Sequence, residues 1–143
     1  FSIHSNCFIG EESKINDYVW LFPNVVLTND PTPPSDKLLG VTIDSFAIIA
    51  AKSLLLPGIH VHEDALVGAG SVVTKDVARE TVVVGNPAKG VCSVKKIRNK
   101  ITGELVYPWR YTFKRGMPWE QVGYQSWIEN MEVAIGKGDE DNV

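Results

Sequence analysis

The sequence predicts an all-β solenoid, a parallel β-helix of six-residue repeats that is followed by a C-terminal hairpin and helix. Aliphatic side chains recur at every sixth position, and a small or β-branched residue stands four places after each of them. Helices and ordinary strands have periods of 3.6 and 2, so neither explains this spacing. A short strand followed by a corner does, if three such strands close one triangular coil and successive coils stack.

The aliphatic positions fall into two registers. Residues three hexads apart lie above one another in such a coil, so Ile3 is predicted to stack with Leu21, and Ile43 with Val61. Each buried aliphatic side chain contributes roughly 1.5–3 kcal/mol, which is enough for a core of domain size. The full series is Ile3, Ile9, Ile15, Leu21 and Leu27, then Ile43, Ile49, Leu55, Val61, Val67 and Val73.

A proline-rich segment separates the two registers. No hexad can be written over residues 29–37, which read Asn-Asp-Pro-Thr-Pro-Pro-Ser-Asp-Lys. Proline lacks the N–H group that coil-to-coil hydrogen bonds require, so we expect residues 29–42 to leave the prism as a protruding loop. Such a loop is either a spacer or a place of substrate contact.

The repeats end before the C-terminus, and the change in pattern predicts two domains, a β-helix over residues 1–90 and a C-terminal extension over residues 91–143. Ile97 to Tyr107 predicts a hairpin that turns at Thr102-Gly103, and Pro118 is predicted to begin a helix that runs through Met131 with aromatic residues on one face. We expect residues 136–142 to be a frayed tail. Because Phe1 lies inside a repeat, we also expect further coils before it.

Composition narrows the class of partner. The chain is 44% hydrophobic and 22% charged, as globular proteins are, and its net charge of −3 gives no general attraction to nucleic acid or anionic membranes. It has no apolar run long enough for membrane insertion, and Cys7 and Cys92 are too few for a disulfide framework. We therefore expect a cytoplasmic protein with no nucleic-acid partner.

Two sequence stretches carry a family resemblance. Residues 67–77, followed by Val-Gly-Asn-Pro-Ala-Lys at residues 84–89, resemble the closing signature of the hexapeptide-repeat acyltransferase superfamily. The Thr-Asn-Asp-Pro run at residues 28–31 and the C-terminal motifs at residues 107–110 and 115–120 are similar to those of the sugar N-acetyltransferase group. The repeats and the signature together cover Phe1 to about Gly90.

The resemblance implies a left-handed β-helix and a homotrimer with active sites in the clefts between prisms. It further implies acetyl-CoA as co-substrate along the later coils. The acceptor is expected to be an amino sugar, free or nucleotide-linked, used in surface polysaccharide biosynthesis. O-acetylation of a sugar or small alcohol remains an alternative.

Candidate coenzyme contacts follow from the same resemblance. Ala50, Ala51, Gly68 and Ala69 have small side chains that leave backbone groups open to the thin pantetheine chain. The amides of the pantetheine arm can therefore lie against this surface.

The nucleotide end of the coenzyme needs positive charge. Lys75 and Lys89 stand at the basic positions of the signature, where an ammonium group can neutralise a phosphate, and Pro87 is expected to lie against adenine. Without the signature, both lysines would be read as solvated surface charges.

Three residues are candidates for the chemical step. Asp30 is expected to accept hydrogen bonds from the acceptor amine, and also its proton, with Asn29 as an orienting amide. The alternative to these catalytic roles is that Asn-Asp-Pro only forms a turn. His4 is a candidate base, but it stands one place before the histidine of similar hexads, and Ser5 occupies that position.

A different class of function is a metal-dependent or structural β-helix protein of the carbonic anhydrase type. Such a site needs three converging histidines, and the chain has three, His4, His60 and His62. His4 lies coils away from the other two in sequence, and His60 and His62 are expected to be surface residues. We therefore expect no metal.

Overall fold

The computed structural model describes the backbone of residues 1–140 and the side chains of residues 1–136. Within-chain contacts divide the chain into two compact units, Phe1–Pro108 and Trp109–Val143. The domain boundary near residue 90 stays a prediction. No helix among residues 1–140 combines the length and apolar character that crossing a membrane requires.

The first unit is a parallel β-helix of short strands. Each strand from β1 to β8 pairs in parallel with the strand three positions further along the chain. Together with the final hairpin, the strands form three sheets in the orders β1-β4-β7-β10-β12-β13, β2-β5-β8-β11 and β3-β6-β9. The strands are β1 (Ser2–Ile3), β2 (Phe8–Ile9), β3 (Lys14–Ile15), β4 (Trp20–Leu21), β5 (Val26–Leu27), β6 (Thr42–Ile43), β7 (Ile48–Ile49), β8 (Leu54–Leu55), β9 (His60–Val61), β10 (Leu66–Val67), β11 (Val72–Val73), β12 (Thr81–Gly85) and β13 (Ala88–Ser93). The predicted solenoid is confirmed.

The aliphatic ladder fills the interior. Ile3 pairs with Leu21, and Ile43 with Val61, as the hexad spacing predicts. Every ladder residue from Leu21 to Val73 is at most 1% exposed. Ile3 and Ile9 are more exposed because β1 and β2 have a neighbouring coil on one side only.

The corners show a third six-residue period, which the aliphatic spacing did not reveal. One residue at nearly every corner has a positive φ, which closes the turn between two faces of the prism. Asparagine and glycine adopt this left-handed conformation most readily, although several other residue types hold it here. The corner residues are Asn6, Glu12, Tyr18, Asn24, Phe46, Lys52, Gly58, Asp64 and Gly70.

Three rows of corners run along the prism, and we name them by the sheet that precedes them. The first edge follows the sheet of β1 and holds residues 4–7, 22–25, 50–53 and 68–71. The second edge follows the sheet of β2 and holds residues 10–13, 28–41, 56–59 and 74–76. The third edge follows the sheet of β3 and holds residues 16–19, 44–47 and 62–65.

The proline-rich loop leaves the prism at the second edge, between β5 and β6. Its ends are tied together by a hydrogen bond from the Leu39 N–H to the Asn29 carbonyl at 2.8 Å. Ile15 in β3 pairs with Ile43 in β6, so the chain returns to the face that the next hexad would have occupied. The loop therefore interrupts the sequence register without interrupting the stacking of the coils.

A hairpin follows the last coil. β12 pairs in parallel with β10 and antiparallel with β13, and the turn between them contains a cis peptide bond between Asn86 and Pro87. A 3₁₀ helix, Val94–Lys96, leads to a second hairpin in which Arg98 bridges Leu105. This second hairpin turns at Gly103, as predicted.

The second unit contains a 3₁₀ helix, Trp109–Tyr111, and one α-helix, α1 (Tyr124–Glu140). The helix begins after the predicted start at Pro118, because the buried Trp119 donates its indole N–H to the Phe113 carbonyl and Gly123 has a positive φ. The frayed tail expected over residues 136–142 stays a prediction, and the backbone of residues 136–140 continues α1. The last two residues of that tail, 141 and 142, lie outside the described residues.

Candidate active site

The Asp30 carboxylate is held by its own loop. Oδ1 accepts hydrogen bonds from the Thr32 N–H at 3.1 Å and from the Ser35 hydroxyl, and Oδ2 accepts one from the Ser35 N–H at 2.9 Å. These bonds, chiefly the one from the Ser35 hydroxyl, lower the pKa of Asp30 below its ordinary value of 3.8, although desolvation opposes them. Asp30 is therefore an ionised carboxylate at neutral pH.

The hydrogen bonds leave Asp30 limited capacity. An ionised carboxylate has about four acceptor positions, and the loop occupies three of them. One position on Oδ2 remains for a donor from outside the loop. A carboxylate with a lowered pKa is a weak base, so Asp30 is suited to act as a fixed hydrogen-bond acceptor.

Asn29 fastens the base of the loop to the coil below. Its Nδ2 donates to the Glu11 carbonyl at 3.1 Å, and its backbone carbonyl accepts the Leu39 N–H. A Cβ atom at Gly10 would lie 2.8 Å from Asn29 Cγ, so glycine at that position lets the amide lie flat on the coil. The Asn29 side chain thus positions Asp30 rather than pointing freely outward.

His4 lies on another edge. It follows β1 on the first edge and its ring packs on Phe22, with centroids 4.8 Å apart, and beside Trp20 at 6.0 Å. Asp30 follows β5 on the second edge. Within one chain, the structure does not bring these two candidate catalytic residues together.

The four small residues predicted for pantetheine contact stack on the first edge with His4. The Gly70 N–H donates to the Ala51 carbonyl, and the Ala50 N–H to the Val67 carbonyl, so these two amides are already used. Ala69 is exposed.

Gly68 also has a packing role, which its place in the signature did not indicate. A Cβ atom there would lie 2.9 Å from Val84 Cγ2 in β12, so glycine lets the final hairpin approach this edge closely. The lack of a side chain at Gly68 therefore has a structural reason as well as the predicted one.

Lys75, Pro87 and Lys89 come together at the end of the prism. They line a cleft of about 270 Å³ formed by the second edge and the turn of the β12–β13 hairpin, with Thr74 and Asp76. All three predicted residues are exposed, and among the side chains of residues 1–136 neither lysine forms an ion pair. The hairpin thus joins two lysines that are fourteen positions apart in sequence.

The three histidines do not converge in one chain. His60 and His62 lie side by side, with ring centroids 3.9 Å apart, while His4 packs on Phe22. The third partner of the pair is Asp44, which was not predicted from the sequence. The signal was available, since Asp44 and His62 stand three hexads apart and therefore stack.

Comparison with known proteins places this geometry in a wider group. No family model matches the chain. A Schizosaccharomyces pombe protein provisionally named as an acetyltransferase is 35% identical over 94 residues, covering 60% of this chain and 44% of that protein. The Staphylococcus aureus 2,3,4,5-tetrahydropyridine-2,6-dicarboxylate N-acetyltransferase is 36% identical over 74 residues, covering 52% of this chain and 30% of that enzyme.

Solved structures of acetyltransferases are also similar to this chain. A maltose O-acetyltransferase from Clostridium difficile 630 superimposes with a TM-score of 0.56 at 29% identity, covering 64% of this chain and 58% of that one. These structural neighbours are members of the hexapeptide-repeat acyltransferase superfamily, which the closing signature of this chain resembles. The fold of the chain is accordingly the left-handed parallel β-helix.

A serine acetyltransferase of this superfamily, solved in complex with CoA, has a TM-score of 0.54 and 26% identity, covering 62% of this chain and 37% of that one. The chain spans less than half of the length of the two sequence relatives. The matches therefore describe the β-helix rather than the whole of those proteins.

Proposed function

We propose that the protein is an acetyl-CoA-dependent acyltransferase that acetylates the amino group of a sugar, carried on a nucleotide, during synthesis of a surface polysaccharide. The Asp30 loop is the observation that supports an amino group as the acyl acceptor. It presents an ionised carboxylate with one acceptor position left, and residues 28–41 contain no histidine. An attacking amine needs a hydrogen-bond acceptor to orient it, whereas an attacking hydroxyl group needs a base to remove its proton.

Acetylation of an amine by a thioester does not require a strong base from the protein. An amine with a pKa near 8, like an α-amino group, is about one-tenth neutral at pH 7. The neutral nitrogen attacks the thioester carbon, the C–S bond breaks, and the thiolate leaves and takes up the proton that the new amide loses. Asp30 accepts a hydrogen bond from the amine N–H and so orients the nitrogen toward the thioester carbon. This orientation accounts for the acceleration.

The coenzyme contacts are proposed on the two edges already described. Ala50 and Ala51 offer the pantetheine arm a smooth surface, and the exposed lysines of the 270 Å³ cleft offer its phosphates positive charge. Acetyl-CoA as co-substrate is supported by the CoA complex of the related serine acetyltransferase. Asp76 in the cleft wall sets a limit, because it repels phosphate, and the two lysines outweigh it.

We further propose a homotrimer in which each site takes one edge from each of two chains. The support is the separation of His4 and the alanines, on the first edge, from Asp30 and Lys75, on the second. A parallel pair of prisms can place the first edge of one against the second edge of the other. The candidate residues then surround one cleft instead of two half-sites.

Release of free thiol tests the proposal directly. Protein is mixed with acetyl-CoA and a panel of free and nucleotide-linked amino sugars, and thiol is followed with a chromogenic disulfide. We expect turnover with at least one amino sugar. No release above the acceptor-free rate across the panel would contradict the proposal.

O-acetylation is the second candidate, and the similarity to a maltose O-acetyltransferase favours it. A hydroxyl acceptor requires a base, and His4 is the candidate on the first edge. His4→Ala separates the two functions. N-acetylation should change little, whereas O-acetylation should fall by about two orders of magnitude or more.

A further inference from the structure

Asp44, His60 and His62 form a compact cluster whose side chains are not among the residues that line the coenzyme cleft. His60 Nε2 lies 2.8 Å from Asp44 Oδ2, and His62 Nδ1 lies 3.6 Å from the same oxygen. One ligand atom from each residue lies within 4.8 Å of the other two. None of the three is among the residues proposed to hold the coenzyme or the acceptor.

The β-helix itself builds this cluster. His60 and His62 flank Val61, whose side chain points into the core and is 0% exposed, so the two histidines point outward on the same side. Asp44 stands one coil below His62, next to β6, and β6 pairs in parallel with β9. The ligands therefore come from two adjacent coils that the ladder holds in fixed register.

The surroundings orient the cluster. Asn16 Nδ2 donates to Asp44 Oδ1 at 3.2 Å, which turns Oδ2 toward the imidazoles. The His60 N–H donates to Asp76 Oδ1 at 2.9 Å, which fixes the backbone of β9 from the coil above. Outer hydrogen bonds of this kind set ligand orientation in metal sites.

We propose that Asp44, His60 and His62 bind one divalent late transition-metal ion, such as Zn²⁺, that clamps two adjacent coils together. Two neutral imidazoles and one carboxylate are ligands typical of zinc, cobalt, nickel or copper, whereas magnesium and calcium prefer oxygen ligands. The ion takes the place of the hydrogen bond between His60 Nε2 and Asp44 Oδ2. Any proton held between those two atoms leaves to solvent on binding.

The side chains have room for the required approach. Zinc–nitrogen distances are about 2.0–2.1 Å, so the ligand atoms must draw closer than they lie here. The side chains of His60, His62 and Asp44 are 36%, 42% and 28% exposed, which permits ring rotation and leaves the remaining coordination positions to water. The cluster can therefore act as a surface clamp between coils.

Metal titration tests the clamp. The experiment uses an untagged Cys7→Ser/Cys92→Ser protein, because the two substitutions remove the thiols that would compete for the ion. The protein is treated with chelator, dialysed and titrated with Zn²⁺ by calorimetry. We expect one ion per chain, and a Co²⁺ complex with visible absorption bands. Magnesium should give no heat.

Matched histidine variants locate the ion. His60→Ala and His62→Ala should each weaken Zn²⁺ binding by at least about tenfold, whereas His4→Ala, which removes the only other histidine, should leave it unchanged. Zn²⁺ should raise the melting temperature of the parent protein but not of Asp44→Asn, a readout that holds even if one variant folds poorly. Absence of binding at about 1 mM Zn²⁺, or equal affinity in all three histidine variants, would overturn the proposal.

Discussion

Replacing Leu55 by alanine measures how much the aliphatic ladder holds the prism together. Leu55 is 0% exposed and stacks between Leu27 in the coil below and Val73 in the coil above. The substitution removes buried methyl groups and leaves a cavity that rigid neighbouring coils cannot fill. We expect the free energy of unfolding to fall by about 2–5 kcal/mol, measured by chemical denaturation.

The matched control stands one position further along the chain. Leu56 is 36% exposed on the second edge, so Leu56→Ala should lower the free energy of unfolding by less than about 1 kcal/mol. Equal losses in the two variants, or a loss below about 1 kcal/mol for Leu55→Ala, would refute the idea that stacked interior aliphatics hold the fold.

Three further predictions concern the candidate site. Asp30→Ala should lower kcat/KM for the acceptor at least about tenfold, while Lys89→Ala should raise KM for acetyl-CoA and leave kcat unchanged. Steady-state kinetics with each substrate varied checks both, and unchanged kinetics in Asp30→Ala would remove Asp30 from the site. Because hydrogen bonds lower the folded-state pKa of Asp30 below 3.8, its ionised form stabilises the fold above that pH and this stability disappears as pH falls through the lowered pKa. Melting temperatures of Asp30→Asn should therefore fall less steeply below pH 3.8 than those of the parent, and identical slopes would count against the loop bonds. Co-expressing Asp30→Asn with Ala51→Trp should give more activity than either variant alone, since mixed trimers regain sites with two intact edges. No such gain in purified mixed trimers would contradict the shared site.

The ladder could be predicted from sequence because it depends on one property, aliphatic character at a fixed spacing. Ile43 and Val61 stack as the spacing requires, whatever lies between them. The loop does not disturb this, because Ile15 and Ile43 still pair across it. Stacking follows from repetition alone.

Features that depend on non-repeating contacts were harder to predict. Trp119 reads as part of a helix, yet its burial and its bond to Phe113 hold residues before Gly123 outside α1. The occupied lone pairs of Asp30 depend on the path of residues 31–35, which three prolines and a serine do not specify in sequence.

The site was predictable in part. Residue types in the closing signature pointed to Lys75 and Lys89, and the hairpin brings them to one cleft. The separation of His4 from Asp30 follows from counting hexads, since one stands after a strand of the first sheet and the other after a strand of the second. The same count would have placed Asp44 beneath His62.

The most direct measurement of the central claim compares two acceptors that differ at a single carbon, one carrying an amino group and the other a hydroxyl group on the same nucleotide-linked sugar. Each is incubated with acetyl-CoA and the protein, and the product is identified by mass spectrometry and by its sensitivity to mild base. We predict an amide from the amino sugar, stable to base, and no product from its hydroxyl counterpart. A base-labile ester from the hydroxyl sugar, with the amine left unmodified, would contradict N-acetylation.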